Sequence, residues 1–312
     1  MAVSTPAWRI ARVSLTTADP VSCSAFFRDG LGFEEIAIEE RGGEAFGRLM
    51  GLPGALAQAR VLRLGSQEIE LVGFAEPGRP YPSGSTSADP WFQHIAIVVS
   101  DMRAAHARLA ARPGWTPIST AGPQLLPESS GGVTAFKFRD PEGHPLELIA
   151  FPPGSTPAPW RAPRGADPCL GIDHSAIVVS NTTASVAFYR QLGFKLAARS
   201  HNHGIEQERL DAMPGVAVEV SALHHAGMDI PPQLELLCYR SPPTRGSPSF
   251  VGQSNDTATT RLLLDAGCDV MLAPILADLD RQPVSGDAVA TEAGGQAVLL
   301  LDPDGHHLML RS

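Results

Sequence analysis

A chain of 312 residues is long enough for two ordinary domains, and 43% hydrophobic with 18% charged residues is typical of a soluble globular protein. A net charge of −9, with no stripe rich in lysine or arginine, argues against nucleic-acid binding. No apolar run approaches the ~20 residues of a membrane helix, no signal peptide is recognisable, and the four cysteines lie far apart. These features predict a cytoplasmic protein with reduced thiols and no membrane or nucleic-acid partner.

The first half of the chain, residues 1–151, contains one pattern twice. A strand is followed by a helix and then by extended segments, as the alternation of apolar and polar residues indicates. In the first copy the strand covers Arg9–Thr17, and the helix covers Pro20–Gly32 with Gly32 as its C-cap. A long loop in the second copy, Thr120–Gly132, has a length typical of functional lids. We place the two copies, modules one and two, at residues 8–77 and 90–151.

A proline-rich linker at residues 152–170 separates this half from residues 171–312, where the pattern returns. Module three, residues 171–241, repeats the strand and helix of module one. Module four, residues 249–312, is a degenerate copy with a predicted helix at Thr257–Gly267.

Matches at a nearly constant offset indicate that the chain is internally duplicated. RDPEGHPLEL and LDPDGHHLML place Asp140 and Asp302 162 positions apart. AFFRDGLGF and AFYRQLGF place Phe33 and Phe194 161 positions apart. Each half holds two modules of the order βαβββ, so the chain consists of four related modules.

Two polar residues stand on predicted strands beside the linker. Glu147 lies on the strand after the DPEG turn, and His174 lies near the start of a β-branched run. A carboxylate and an imidazole are common ligands of divalent metals. Taken alone, either residue is more typical of a structural role, as a solvated strand residue or a hydrogen-bonded core histidine. Recurrence of both patterns elsewhere in the chain favours the metal site.

The motifs QHIAIVVSD, DHSAIVVSN, AFYRQLGF, FRDPEGHPLELI and QLELLCY resemble those of the vicinal oxygen chelate superfamily. That superfamily includes glyoxalase I, extradiol dioxygenases, methylmalonyl-CoA epimerase and the bleomycin- and fosfomycin-resistance proteins. The resemblance implies an α+β fold in which four βαβββ modules form two half-barrels. It also implies that metal ligands come from the first and last strands of the modules.

Mapped residue by residue, the resemblance gives one candidate on each of these strands. The first-strand positions of modules one to four are Arg12, His94, His174 and Ser249, and the last-strand positions are Glu70, Glu147, Glu235 and Met309. Modules two and three alone have both ligands. The set His94, Glu147, His174 and Glu235 is therefore the predicted metal site.

The pairing of the modules decides whether that set can exist. In extradiol dioxygenases module one pairs with two and three with four, which would leave Glu70, His94 and Glu147 as a poorer set. In single-chain glyoxalases module two pairs with three and one with four. We favour the second arrangement because it brings both imidazoles and both carboxylates into one cup.

Such a site suits one divalent ion, Zn, Ni, Co, Fe(II) or Mn, which would polarise a substrate carbonyl or diol and stabilise an enediolate. By resemblance to glyoxalase I, Glu147 matches the catalytic base and Glu235 the opposing carboxylate. The predicted function is a metal-dependent, glyoxalase-like lyase or isomerase acting on a small oxygenated metabolite, as a monomer or homodimer. One alternative is an Fe(II)-dependent extradiol-type dioxygenase. Another is a non-catalytic protein that binds a small molecule such as an antibiotic.

The other histidines have less specific surroundings. His144, His306 and His307 follow the DPxG turns, so we expect structural roles for them. His201 and His203 are expected on an exposed loop or strand near the cup. We interpret His224 and His225 as solvated residues of a turn.

Overall fold

Two large β-sheets, with helices packed against them, make up the computed structural model of the chain. The described residues are 8–161, 165, 167–225, 230–244, 252–266, 270–279, 281, 283–291 and 294–312. Within these ranges, no helix combines the length and the apolar character needed to cross a bilayer.

The elements of the first half follow the predicted order. They are β1 (Arg9–Thr17), α1 (Pro20–Leu31), β2 (Glu34–Arg41), α2 (Gly43–Leu49), β3 (Ala57–Leu64), β4 (Gln67–Phe74), β5 (Gln93–Val99), α3 (Met102–Ala110), β6 (Thr116–Pro117), β7 (Gln124–Leu125), β8 (Thr134–Arg139) and β9 (Pro145–Ala150). Two short 3₁₀ turns, Glu128–Ser130 and Ala158–Trp160, lie in the predicted lid loop and in the linker.

The second half repeats the order. Its described elements are β10 (Cys169–Val178), α4 (Thr182–Gln191), β11 (Phe194–His203), α5 (Ile205–Asp211), β12 (Ala217–His225), β13 (Gln233–Ser241), β14 (Thr260–Asp265), α6 (Leu272–Asp278), β15 (Val289–Ala290), β16 (Gln296–Leu301) and β17 (His307–Arg311).

Local chemistry explains where α1 begins and ends. The Asp19 carboxylate accepts hydrogen bonds from the backbone N–H groups of Val21 and Ser22, which have no partner inside the helix. Pro20 is tolerated in the first turn because its missing N–H would have no partner there. Gly32 ends the helix at φ 78°, a left-handed conformation that favours glycine. The predicted helix and its C-cap are confirmed.

The two sheets pair the modules in the arrangement favoured from the sequence. One sheet has the order β15-β16-β17-β14-β1-β4-β3-β2, which joins module one to module four. The other has the order β11-β12-β13-β10-β5-β9-β8-β6, which joins module two to module three. In each sheet the first strands of two modules lie antiparallel at the centre, β1 beside β14 and β5 beside β10. The prediction of four βαβββ modules in two half-barrels is confirmed.

The predicted helix at Thr257–Gly267 in module four is wrong. Thr260–Asp265 form the central strand β14, and the described helix of this module is α6, Leu272–Asp278; Gly267 itself lies outside the described residues. β14 is almost wholly buried, because it lies between β1 and β17 with both faces covered. A strand buried on both faces has a continuous apolar run, which sequence periodicity cannot distinguish from a buried helix.

Two further helices, α2 and α5, were absent from the sequence prediction. They occupy equivalent places in modules one and three, beginning at Gly43 and Ile205. Each has seven residues, about two turns, which is too short for a clear period of 3.6. The strand β10 begins at Cys169, so it includes the last two residues of the predicted linker.

The two half-barrels share a continuous core and are joined by buried histidines. The largest cluster of buried apolar side chains contains residues from both sheets, including Leu15 and Ile97. His144 of module two bonds through Nε2 to the backbone oxygens of Thr16 (2.8 Å) and Thr257 (3.1 Å) in the other half-barrel. At the equivalent position, His306 of module four bonds to the Val178 oxygen of module three at 2.7 Å.

Candidate functional site

The register of the central strands places the four predicted ligands on one concave face. β5 and β10 run antiparallel, so that His94 pairs with Ala176 and His174 with Ala96. At their other edges, β5 pairs with β9 and β10 pairs with β13. In these pairs Ala96 lies opposite Glu147 and Ala176 lies opposite Glu235. Since side chains alternate along a strand, all four lie on the same face. We call this face of modules two and three the first cup, defined by His94, Glu147, His174 and Glu235.

Three of the four residues form a compact buried group. His94 Nε2 lies 3.1 Å from Glu147 Oε2, and His174 Nε2 lies 3.8 Å from the same oxygen. The ligand atoms of these three side chains are all within 4.8 Å of one another. Glu235 lies at the edge of the group, with its Oε2 3.4 Å from His174 Nε2 and its side chain 25% exposed. The two imidazole rings lie 5.7 Å apart, centroid to centroid.

Burial and neighbouring charges separate the protonation states of these groups. Burial lowers the pKa of His94 to about 4, so this imidazole is neutral. Burial opposes the charge of Glu147, but the hydrogen bond with His94 and the nearby Lys137 and His174 together outweigh it and lower the carboxyl pKa to about 2. Burial raises the pKa of Glu235, although the nearby His174 opposes this shift. Burial disfavours charge on His174, yet Glu235, Asp173 and Glu147 raise its pKa to about 9.

The surroundings of His174 fit a cation bound at Nε2. Among the described residues, no group makes a hydrogen bond with this buried nitrogen, although carboxylates face it from two sides. The other ring nitrogen, Nδ1, lies 3.0 Å from Asp173 Oδ2. A metal-binding histidine commonly donates its second N–H to a carboxylate in this way. Asp173 is in turn fixed by Trp160, whose Nε1 donates to it at 2.9 Å.

A cavity of about 370 Å³ opens onto the first cup. It is lined by the four residues of the cup, by Leu126 and Gly131 of the predicted lid loop, and by Lys137, Gln207 and Tyr239. This volume is in the range of small-molecule sites. His201 and His203 are not among the lining residues, so the structure does not bring them to the cavity.

A second group of possible ligands, Cys23, Asp140 and His144, is structural. Both nitrogens of His144 are occupied, Nδ1 by Asp140 at 2.7 Å and Nε2 by backbone oxygens. Burial disfavours its charge, but Asp140 raises its pKa to about 9. With both ring nitrogens hydrogen-bonded, neither is available to bind a metal. The structural role predicted for His144 is confirmed, and so is that of His306.

The interpretation of His225 as a solvated residue is wrong. Its side chain is buried, and its ring lies 5.0 Å from that of Phe194. The sequence HHAG resembles a polar turn, but β12 extends through His225, and that residue faces the core.

The equivalent face of modules one and four carries different residues. Applying the register of the first cup to β1, β4, β14 and β17 gives the positions Arg12, Glu70, Arg261 and Met309. We call this face the second cup. Ser249, predicted as its fourth-module position, lies outside the described residues. The misplacement follows from the missed strand: β14 begins at Thr260, so Arg261 occupies the place that corresponds to His174.

Positive charge surrounds the single carboxylate of the second cup. Glu70 is 1% exposed and lies 2.8 Å from Arg41 Nη2 and 3.7 Å from Arg12 Nη1. Burial opposes its charge, but Arg41 overrides this effect and lowers the carboxyl pKa to about 2. Arg261 is buried and donates to the hydroxyls of Ser14 (3.3 Å) and Thr16 (2.8 Å) and to the Ser254 oxygen. Guanidinium groups cannot bind a metal, so this donor set does not suit a cation.

Comparison with known proteins places this geometry in a family. A search of curated proteins gave no significant match. Among solved structures, glyoxalase I from Zea mays superposes with a TM-score of 0.63 at 15% identity, covering 98% of this chain and 92% of that chain. A putative dioxygenase from Bacillus subtilis subsp. subtilis str. 168 gives 0.59 at 13% identity, covering 99% and 86%. At such identities the similarity is one of fold.

The family model for the Glyoxalase/Bleomycin resistance protein/Dioxygenase superfamily matches residues 9–148 and again residues 171–310. Each match spans two of the four modules, and together they cover most of the chain. The chain therefore belongs to the Glyoxalase/Bleomycin resistance protein/Dioxygenase superfamily.

Proposed function

We propose that the first cup binds one divalent metal ion through His94, Glu147, His174 and Glu235. The observation that carries this proposal is the buried Nε2 of His174, which has no hydrogen-bond partner among the described residues and faces two carboxylates. Two imidazoles and two carboxylates suit Zn, Ni, Co, Fe(II) or Mn. The Asp173 carboxylate would hold the His174 ring in the required tautomer.

We further propose that the protein is a metal-dependent, glyoxalase-like lyase or isomerase of a small oxygenated metabolite. A bound divalent ion would supply Lewis acidity toward a carbonyl or diol oxygen. Glu147 and Glu235 lie on strands that flank the central pair β5–β10 from opposite sides. A substrate between them would have a carboxylate on each side, one to remove a carbon-bound proton and one to return it. Burial raises the pKa of Glu235, which strengthens that carboxylate as a proton acceptor.

A second candidate function, an Fe(II)-dependent extradiol-type dioxygenase, is favoured by one specific observation. The compact group of His94, Glu147 and His174 has the composition of the two-histidine, one-carboxylate site of iron oxygenases. In that case Glu235, at the edge of the group, would act on substrate rather than as a ligand.

The proposal is tested by metal analysis followed by two assays. Protein purified without chelator, or titrated with each candidate ion, is expected to hold about one divalent ion per chain. Exchange of the α-proton of hydroxycarbonyl compounds in D₂O would support the lyase or isomerase. Oxygen consumption with catechols and Fe(II) would support the dioxygenase instead. Protein that binds no divalent ion under any of these conditions would overturn both functions, and a loaded protein inactive in both assays would favour binding without catalysis.

A further inference from the structure

Lys137 is a buried cation in the first cup. It is one of two lysines in the chain, and only 4% of it is exposed. In the register of β8 and β9 it stands directly opposite Glu147, so its side chain projects from the same face of the sheet. It lines the same cavity as His94, Glu147 and His174.

The ammonium group has unused hydrogen-bonding capacity. Its Nζ donates to Asp211 Oδ1 at 2.7 Å, and this is its single hydrogen bond among the described residues. An ammonium has three donors, so two remain. Asp211 also accepts from Gln207 Nε2 at 2.7 Å and from the Tyr239 hydroxyl at 3.2 Å. The carboxylate is therefore fixed by three donors and holds Lys137 at the wall of the cavity.

The fold itself does not require a lysine at this position. The residues opposite the last-strand positions of the other three modules are Val61, Ala222 and Leu299, all apolar. Burial of an ammonium is costly unless its charge and its donors are satisfied. Lys137 is thus charged at one of four equivalent positions, has free donors and lies beside the candidate metal ligands. This combination points to a bound small molecule that completes its hydrogen bonding.

We infer that Lys137 determines substrate specificity by donating a hydrogen bond to a substrate oxygen other than the two that would bind the metal. This inference rests on the proposed function and names its substrate class, a carboxylate with an oxygen on the adjacent carbon. In a 2-oxo or 2-hydroxy carboxylate, one carboxylate oxygen and the neighbouring oxygen form the vicinal pair. The second carboxylate oxygen is then free to accept from Lys137.

The test compares two chelating probes on protein loaded with Co(II), with binding followed by the visible absorption of the ion. Oxalate binds through two oxygens and leaves two free, whereas acetohydroxamate uses both of its oxygens for chelation. We expect Lys137→Met to weaken oxalate binding about 10- to 100-fold, as for a lost hydrogen bond to a charged group, and to change acetohydroxamate binding by less than about threefold. Lys195→Met makes the same chemical change at an exposed position on β11 and is expected to alter neither.

Other results of this experiment would overturn either the role of Lys137 or the metal site itself. Unchanged oxalate affinity in the folded variant, or an equal loss for both probes, would overturn the role of Lys137 and leave the metal site intact. If Lys137→Met does not fold, the pair Lys137→Met/Asp211→Asn removes both charges, and the same two comparisons apply. Wild-type protein that binds neither Co(II) nor either probe would instead refute the proposed function on which the inference rests.

Discussion

The two cups have equivalent strand orders at their centres and cavities of similar size, about 370 and 360 Å³, but different charged side chains. In the first, two buried imidazoles face two carboxylates. In the second, arginines take both histidine positions and Met309 replaces one carboxylate. The lining of the second cavity includes the apolar side chains of Phe46, Leu263 and Met309.

This difference teaches that the fold and the chemistry of a cup are separable. The sheet holds four side chains on each concave face whether they are ligands or not. The buried charge at Glu70 is neutralised by arginines within the protein, whereas the carboxylates of the first cup face a nitrogen without a hydrogen-bond partner. Substitutions at equivalent positions of the two cups should therefore have different consequences.

The largest difference is expected between Glu147→Gln and Glu70→Gln in metal binding and turnover. Glu147 is proposed as a ligand and as one of the two carboxylates that move the substrate proton, so its loss should reduce turnover by at least the ~10²- to 10⁴-fold typical of a general acid or base. Glu70→Gln, the equivalent change in the second cup, should leave the metal content unaltered. Elemental analysis and activity measured on both variants test this. A folded, fully active Glu147→Gln protein would remove that residue from the mechanism.

The free energy of unfolding should show the reverse order, with a larger loss in Glu70→Gln than in Glu147→Gln. Glu70→Gln leaves Arg41 and Arg12 with Glu39 and Glu68 as partners but without their buried carboxylate, and loss of hydrogen bonds to a charged group costs about 1.5–3 kcal/mol. Urea unfolding should show this loss in Glu70→Gln, whereas in Arg41→Met/Glu70→Leu, which removes both charges, most of it should be absent. Equal stability of Glu70→Gln and the wild type would contradict the proposed role of the arginines.

The stability that His144 contributes by joining the two half-barrels should be lost in alkaline solution. The pKa of His144 is about 9 in the folded protein and 6.5 in the absence of structure, so its contribution is complete below about pH 6.5 and is lost as pH rises through 9. The loss between pH 6.5 and 10 is on the order of 2–3 kcal/mol. Comparing the free energy of unfolding of the wild type and His144→Gln at both pH values isolates it. The prediction fails if the two proteins lose the same stability.

A smaller effect is expected from the residues behind His174. Asp173→Asn should weaken metal binding by about 10- to 100-fold without abolishing it, as is usual when the carboxylate behind a metal-binding histidine is lost. Trp160→Phe removes one hydrogen bond to Asp173, and its effect should be smaller still. Competition with a chromophoric chelator gives both affinities. A larger effect of Trp160→Phe than of Asp173→Asn would contradict the proposal that Trp160 acts on His174 only through Asp173.

Sequence reasoning reached the features that repeat and missed those that depend on tertiary contact. The four modules and the positions of His94 and Glu147 were accessible because both strands recur with their turns. Asp173 directly precedes His174, and this adjacency was an available signal. The contribution of Trp160 was not accessible, since it lies in the linker and reaches the site only because the chain folds back on β10.

The sequence analysis missed Lys137 and Arg261 for two further reasons. Lys137 is an isolated charge between Phe136 and Phe138, an alternation that indicates a side chain on the face opposite the aromatic pair. Its direction was therefore readable, but its partner Asp211 comes from α5, a helix too short to predict. Arg261 was missed because β14 has the apolar run of a strand buried on both faces, which obscured the start of module four.

The order of pairing has a consequence for how the protein folds. His94 and Ala176, partners across β5 and β10, are 82 positions apart, whereas Ser14 and Arg261, partners across β1 and β14, are 247 positions apart. Closing a loop three times longer costs about 1 kcal/mol more in chain entropy. The cup with the candidate metal ligands therefore has the lower kinetic barrier to assembly, and pairing of the chain ends should follow it. Neither half of the chain contains a complete half-barrel, so the two halves expressed as separate fragments would have to associate before either cup exists.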